Sequence, residues 1–210
     1  MATTKVDVNL ISASGTPGSG NFLRGDGSWQ AVSSGLNFIS NTDISAAATY
    51  NFTAFTAGSF EHYIFYLQNL IPVTDDVHLW VRTSTDGGSS YDAGGSDYNW
   101  GGFGGNASFV EDAADGQFAA TGNGTSAAST IGSTSTESGV SGTLQLFGPH
   151  TTSFTHIQSN LTFHNASAAL THADFGGARV SAADVDGFQI LFESGNIESG
   201  TITAYGLANA

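Results

Sequence analysis

The chain lacks cysteine altogether and has one methionine and three prolines among its 210 residues. Without cysteine it can form no disulfide and no thiolate metal site, and it has no thiol nucleophile. No run of about 18 apolar residues is present, so the sequence predicts no membrane-spanning helix. A basic segment followed by an apolar segment is also missing, and we therefore expect no secretory signal.

Positive charge is scarce as well. Four Lys and Arg residues stand against 18 Asp and Glu residues, which gives a formal net charge of −14. A chain this acidic repels phosphate backbones, so we expect no nucleic-acid partner. Lys5 and Arg24 lie in the first 35 residues, which leaves Arg82 and Arg179 for the remainder. We expect that remainder to be repelled by anionic surfaces and to bind any sugar through neutral contacts.

The chain does contain many glycines and aromatic residues: 28 Gly, 15 Phe, 6 Tyr and 3 Trp. This aromatic content contradicts disorder. Aromatic and β-branched residues separated by Gly, Ser, Asn and Asp favour short strands joined by tight turns. The sequence therefore predicts an all-β protein.

Residues 1–35 differ from the rest and predict an extended arm followed by a small hairpin. Alternation over residues 5–11 predicts a strand, and a Gly/Ser-rich run follows it. The Asp-Gly pair at 26–27 lies between apolar residues at 22–23 and Trp29. This arrangement is typical of a hairpin, because both turn residues tolerate a positive φ. A hairpin this small is not stable alone, so its apolar side chains need a partner surface.

In residues 36–210, apolar residues recur with period 2, and we expect a jelly-roll-like β-sandwich. Eight segments carry the pattern: 36–40, 49–53, 60–70, 77–83, 138–147, 154–163, 187–192 and 200–207. In the fourth of these, the pattern predicts Val77, Leu79 and Val81 in the core and Trp80 on the polar face.

Two long stretches of small residues, 100–105 and 121–138, are predicted loops, and long loops commonly carry recognition. Sugars bind to aromatic faces with Asn or Asp at the ring edge, and glycines let the backbone approach a ligand. We therefore predict a glycan contact formed by Trp80, Asp97, Tyr98, Asn99 and Trp100. The alternative is that these aromatic residues fill a seam between subunits.

Residues 84–91 match the S-x-D-x-G-x-x-aromatic pattern known as an Asp-box. It predicts a turn in which the Asp86 carboxylate accepts hydrogen bonds from turn amides. Asp86, Asp92 and Asp97 are candidate Ca²⁺ ligands, because Ca²⁺ takes about six to eight oxygens, often from neighbouring loops. The alternative is that they are solvated turn carboxylates, and we expect no cofactor.

Motifs for catalysis are missing from the sequence. The six His form neither H-x-H nor H-E-x-x-H, and no G-x-S-x-G segment is present. Carboxylates are common, but no specific pair for glycoside hydrolysis can be singled out. We therefore expect that the protein is not an enzyme.

Three segments resemble a known group of proteins. Residues 14–29, SGTPGSGNFLRGDGSW, resemble the G-T-P-(small)-FLRGDG-(S/T)-W segment of many tail-fibre and tail-associated proteins of tailed bacteriophages. Residues 187–207, GFQILFESGNIESGTITAYGL, resemble the final strands of phage appendage domains. Residues 82–94, RTSTDGGSSYDAG, resemble segments that occur in the same kind of proteins.

The resemblance implies a virion surface protein that forms homotrimers. Residues 1–35 would dock on other virion proteins, and the sandwich of residues 36–210 would face outward and bind a host-surface glycan. The docking and trimer hairpin would use Phe22, Leu23, Arg24, Asp26 and Trp29. We interpret the Arg-Gly-Asp tripeptide of this hairpin as a turn with a local ion pair.

Other interpretations stay open, because the chain is short for a tail fibre and has no long shaft. A head fibre, or a capsid or tail decoration protein with a purely structural role, is the first alternative. A polysaccharide-degrading spike is the second.

Overall fold

The structure is a computed structural model that describes residues 14–16, 18, 20–31, 35–105, 109–122 and 130–208. It is 58% strand and 2% helix, which confirms the predicted all-β class. The chain divides into two compact units, Met1–Gly35 and Leu36–Ala210. In the described ranges, no helix is long and apolar enough to cross a membrane. The strand predicted for residues 5–11 lies outside the described residues.

In the first unit, β1 (Asn21–Leu23) pairs antiparallel with β2 (Trp29–Ala31), which confirms the predicted hairpin. Asp26 Oδ1 accepts hydrogen bonds from the hydroxyl and the backbone N–H of Ser28 at 2.6 and 3.0 Å. These bonds lower the pKa of the Asp26 carboxyl. Gly27 adopts a φ of +78°, which a residue with a Cβ rarely takes. The turn therefore forms around the Asp-Gly pair, but only Gly27 of the two has a positive φ, and Asp26 contributes through its hydrogen bonds to Ser28.

The hairpin has a polar tip and apolar strands. Arg24 Nη1 lies 3.9 Å from Asp26 Oδ2, which confirms the local ion pair. Both side chains are more than half exposed, so the pair adds little to stability. Phe22 and Leu23 are exposed and Trp29 is half-buried. This unit thus leaves apolar side chains in solvent.

The second unit contains twelve strands within residues 35–105, 109–122 and 130–208. They are β3 (Leu36–Ala47), β4 (Tyr50–Phe52), β5 (Phe60–Pro72), β6 (Leu79–Ser84), β7 (Tyr98–Gly104), β8 (Val110–Asp115), β9 (Phe118–Ala119), β10 (Val140–Phe147), β11 (His156–His164), β12 (Leu170–Arg179), β13 (Gly187–Phe192) and β14 (Ile197–Ala208). A short 3₁₀ helix, Ser135–Glu137, precedes β10.

The twelve strands form two antiparallel sheets. The large sheet has the order β3-β14-β5-β10-β11-β12-β7-β8, and the small sheet has the order β4-β13-β6-β9. The first four strands of the large sheet are β3, β14, β5 and β10. Each is adjacent in the chain to the strand at the same place in the small sheet, β4, β13, β6 and β9. The chain crosses between the sheets at β3–β4, β4–β5, β5–β6, β6–β7, β8–β9, β9–β10, β12–β13 and β13–β14. This is a jelly roll, as predicted, and β11, β12, β7 and β8 extend its larger sheet.

Aromatic side chains join the two sheets in the core. Phe65 of β5 stacks on Phe188 of β13 with ring centroids 4.6 Å apart. Phe52 of β4 meets Phe65 edge-on at 5.0 Å. Such pairs contribute about 0.5–1.5 kcal/mol each beyond the area that they bury. The core thus holds the short strands of the small sheet against the long strands of the large one.

Eight of the twelve strands coincide with periodic segments, and β7, β8, β9 and β12 do not. The predicted loop 100–105 is wrong, because most of it lies in β7, which pairs with β12 and β8. In the predicted loop 121–138, Ile131 forms bridges with Val77 and Asn165. Residues 123–129 of that segment lie outside the described residues.

The Asp-box loop after β6 has the geometry that its sequence predicts. Asp86 accepts hydrogen bonds from the Ser90 hydroxyl at 2.6 Å, the Ser90 N–H at 2.9 Å and the Ser84 hydroxyl at 2.7 Å. These bonds, led by that of the Ser90 hydroxyl, lower the pKa of the Asp86 carboxyl to about 2. They do so because they stabilise the ionised form. The carboxylate therefore closes the loop at neutral pH.

We expect Asp86→Asn to lower the melting temperature at neutral pH and to reduce the acid sensitivity of folding. The folded-state pKa is depressed, so the contribution of Asp86 is fully present above its unfolded value of 3.8. It is lost as the pH falls toward 2. Melting curves from pH 7 to pH 2 check this, and the difference between wild type and variant should shrink to a small fraction of its neutral value at pH 2. Glu198→Gln, which removes an exposed carboxylate elsewhere, is the control; a difference as large at pH 2 as at pH 7 would contradict the linkage.

Candidate functional site

The predicted recognition segment lies in β7, where alternation divides its side chains between two faces. Tyr98 is fully buried and Trp100 is 6% exposed. The Tyr98 hydroxyl accepts a hydrogen bond from the Thr83 N–H at 2.7 Å, and burial raises the pKa of Tyr98 to about 12. Trp100 Nε1 donates to Asp115 Oδ2 at 3.0 Å. Both rings therefore pack in the core, and neither presents an exposed face to a ligand.

Trp80 lies on the other sheet. Val77, Leu79 and Val81 are buried, as predicted, and Trp80 faces the outside of the small sheet. There it lies beside Leu191 of β13 and is half-buried. Trp80 therefore does not share a site with the residues of β7.

The three candidate Ca²⁺ ligands have separate structural roles. Asp86 closes the Asp-box loop, and Asp92 Oδ2 accepts a hydrogen bond from Arg179 Nε at 2.7 Å. Asp97, also predicted to contact glycan, lies in a turn where its Oδ2 accepts from the Gly94 N–H at 2.6 Å. Among the residues that the structure describes, no three His, Cys, Asp or Glu side chains are grouped to hold a metal ion. The structure therefore does not bring these three carboxylates together.

A groove of about 390 Å³ lies over β12, β7 and β8 in the large sheet. Gly176 of β12 pairs with Gly101 of β7, and together they form a floor without side chains. A Cβ at Gly176 would meet no atom within 4 Å, so the floor is open. Asn99, two residues before Gly101, is exposed and offers an amide to a ligand. The groove falls within the size range of small-molecule sites, about 300–1,000 Å³.

The ring of Phe109 forms one wall of this groove, and the ring of Phe103 packs against it just outside the lining. Phe103 and Phe109 are both about half exposed, and their ring centroids are 5.3 Å apart. Phe109 lies against Gly101, where a Cβ would be 2.7 Å from the Phe109 Cζ atom. Only a glycine lets the ring approach the strand this closely. The wall is thus an exposed ring surface beside open backbone, on which the C–H face of a sugar can stack.

Carboxylates line the rest of the groove. Glu111 and Asp112 of β8 are lining residues, and Asp174 of β12 is exposed beside Phe103. In the part of the chain that the structure describes, no Lys or Arg lines the groove. The groove therefore repels anions and offers oxygen acceptors to hydroxyl groups. Rings, carboxylates and an amide together fit a neutral, polyhydroxylated ligand.

Of the predicted glycan residues, Asn99 and Trp100 line this groove, and Asn99 alone of the two has an exposed side chain. The sequence prediction does not include Phe103, Phe109 or Glu111. A usable signal is the short alternation of polar and apolar residues in β12, where Ala173 and Phe175 are buried and His172 and Asp174 are exposed. Recognising β12 would have supplied a pairing partner for β7.

A second cavity of about 530 Å³ opens between the edge strands β3 and β4. Its lining is rich in Ser and Thr hydroxyls. Tyr50 and Phe52 line it but are themselves buried, and burial raises the pKa of Tyr50. This cavity therefore offers hydrogen bonds without a ring surface, and it is the weaker candidate for a sugar.

Comparisons of the chain with protein-family models, with curated proteins and with solved structures return no match. We therefore infer the function from the groove, the hairpin and the sequence segments described above.

Proposed function

We propose that the chain is a virion surface appendage protein of a tailed phage that forms homotrimers and binds a neutral glycan of the host surface. The groove over β12, β7 and β8 carries the proposal, because it combines exposed rings, a floor without side chains and acidic walls. The phage-like segments at 14–29 and 187–207 support a place on the virion. The proposed activity is binding and includes no catalytic step.

Docking on the particle is assigned to residues 1–35. Phe22 and Leu23 are exposed on a two-stranded hairpin, which is marginally stable by itself. Contact with another virion protein would bury both side chains and order the hairpin. This supports the first unit as the anchor and the sandwich as the outward part.

We expect Gly176→Val to abolish glycan binding without unfolding the protein. The new side chain would fill the open floor, and valine is well accommodated in strands. Wild-type protein should bind neutral oligosaccharides on an array of bacterial surface polysaccharides. Titration calorimetry with a bound oligosaccharide should show a loss of at least about tenfold for the variant, or about 1.4 kcal/mol.

Thr162→Val is the matched control, because Thr162 is exposed on β11 in the same sheet and lies outside the lining of the groove. It should bind as the wild type does. On host cells, saturating wild-type protein should block phage adsorption, whereas the Gly176→Val protein should not. Equal binding by wild type and the Gly176→Val protein would place the glycan site elsewhere.

A purely structural decoration role is the second candidate. The burial of Tyr98 and Trp100 favours it, since two residues of the predicted recognition segment serve packing. A wild-type protein that binds no glycan on the array and does not compete for adsorption would decide for this role.

A further inference from the structure

Apolar side chains are exposed together at the end of the large sheet opposite the groove. Phe38 of β3 pairs with Tyr205 of β14, and Leu36 pairs with Leu207 on the same two strands. Tyr66 of β5 meets Tyr205 edge-on with ring centroids 5.7 Å apart. We call these five residues the aromatic face.

The side chains of the aromatic face are exposed side by side and form one apolar patch. Phe38 is 62% exposed, Tyr66 43%, Leu207 40% and Leu36 39%. With about 150–250 Å² per aromatic side chain, these fractions leave an apolar patch on the order of 300 Å². The largest apolar patch on a typical single protein is about 300–600 Å² and is often functional. A stable interface needs about 800 Å² per partner, so the aromatic face would form its centre and the neighbouring Thr and Gln side chains its rim.

Charge indicates what covers the aromatic face. The chain carries a net charge of −14, but the three rows of paired residues that cross this face contain no Asp, Glu, Lys or Arg in β3, β14, β5 and β10. The next row holds Asp43, whose Oδ1 accepts a hydrogen bond from the Thr201 hydroxyl at 2.8 Å. Two such acidic molecules repel each other least where both are uncharged. A basic partner would instead find its complement on the acidic surfaces elsewhere.

The rings of the aromatic face are also held in place before any partner arrives. Tyr205 contacts Phe38 edge-on at 5.8 Å as well as Tyr66 at 5.7 Å. Rings that are already packed lose little side-chain freedom on binding. Two tyrosine hydroxyls supply donors and acceptors that a copy of the same surface can match.

We infer that the aromatic face is where a second copy of this chain packs. The inference rests on the proposed function in one respect, the self-association of the chain, and adds the surface that performs it. Four strand spacings of about 4.8 Å separate β5 from β7, so the groove lies about 19 Å away along the sheet. A second copy on the aromatic face can leave the groove open.

The experiment measures the mass of the full chain in solution by analytical ultracentrifugation. Wild type should sediment as a multimer, and Phe38→Glu and Tyr66→Glu should each reduce it to the 21.5 kDa monomer. Both positions are exposed, so the melting temperature of the variants should stay near that of wild type. Leu170→Glu is the matched control: Leu170 is 72% exposed on β12, outside the aromatic face, and its variant should remain multimeric.

An introduced thiol gives a second readout, because the chain has no cysteine of its own. Thr203 lies beside Tyr66 and Tyr205, and Thr203→Cys should cross-link between copies with a short bis-maleimide. Leu170→Cys should not. Thr203→Cys protein that stays uncross-linked, or that cross-links no better than the Leu170→Cys protein, would overturn the inference.

Three results would overturn the inference: a monomeric wild type at about 100 µM, multimers that persist in both charged variants, or dissociation of the Leu170→Glu control as well. If the multimer persists in both charged variants but dissociates in the Phe22→Glu protein, the contact between copies belongs to the first unit. Glycan binding by a monomeric wild type would refute the aromatic face and keep the binding function. A multimer that binds no glycan would keep the aromatic face and refute the binding function.

Discussion

Replacing Gly102 with alanine should destabilise the sandwich by about 3 kcal/mol, at the upper end of typical overpacking costs. Gly102 lies on the inward face of β7, opposite Phe175 of β12. A Cβ there would overlap the carbonyl oxygen of Asp174 and lie 2.6 Å from the Phe175 Cα atom. Both obstacles are backbone atoms of a paired strand, so neither can rotate away. Thermal unfolding should show a melting temperature lower by roughly 6–12 °C.

Gly176→Ala is the matched control for this prediction. Gly176 is on the strand opposite β7, but it faces outward, and a Cβ there would meet no atom within 4 Å. Its stability should stay within about 0.5 kcal/mol of wild type. Equal effects of the two alanines would show that the loss comes from glycine replacement in general and not from the close approach of β7 and β12.

Arg179→Ala should destabilise the protein by about 2–3 kcal/mol, somewhat less than the loss of one partner from a fully buried ion pair. Arg179 Nε donates to Asp92 Oδ2 at 2.7 Å, with the side chains 12% and 24% exposed. Its Nη1 also donates to the Ser181 carbonyl oxygen at 2.7 Å. The hydrogen bond from Arg179 Nε to Asp92 raises the pKa of Arg179, so the pair stays ionised at neutral pH. Removal leaves a partly buried carboxylate without its cation.

Urea unfolding at pH 7 measures this loss, and Arg24→Ala provides the comparison. Arg24 and Asp26 form an ion pair in which both side chains are more than half exposed, and exposed pairs contribute little. A double variant, Arg179→Ala with Asp92→Ala, should recover part of the stability because no unpaired charge remains. Equal losses for Arg179→Ala and Arg24→Ala would contradict the role of burial.

Periodicity predicts strands well where the side chains alone define the pattern. β13 has the predicted bounds, 187–192, because Phe188, Ile190 and Phe192 alternate with partly exposed residues. β7 carries three glycines among its last four residues, and the glycine-rich end of β12 faces it, so pairing across the sheet decides their structure. A single sequence contains the glycines but not the neighbouring strand that requires them.

The same reason explains the partial success for the site. The sequence draws attention to segment 97–105, and the groove does lie there. A predicted loop has no faces, so nothing separates Asn99, Gly101 and Phe103 from Tyr98 and Trp100. Once the segment is a strand, the first three turn outward and the two large rings turn into the core. The residue types of the segment predict a site there, but which side chains face outward depends on the register of β7 in the sheet.

The width of the large sheet bears on how strongly an assembly could hold a surface. An assembly built through the aromatic face would carry one groove per copy, each about 19 Å along the sheet from the contact between copies. Ligands on a cell surface repeat, so each further groove of the assembly would engage at a high effective concentration. Avidity of this kind multiplies weak contacts by about 10²–10⁴ without any new one. A shallow groove with modest affinity would then be sufficient for firm but reversible attachment.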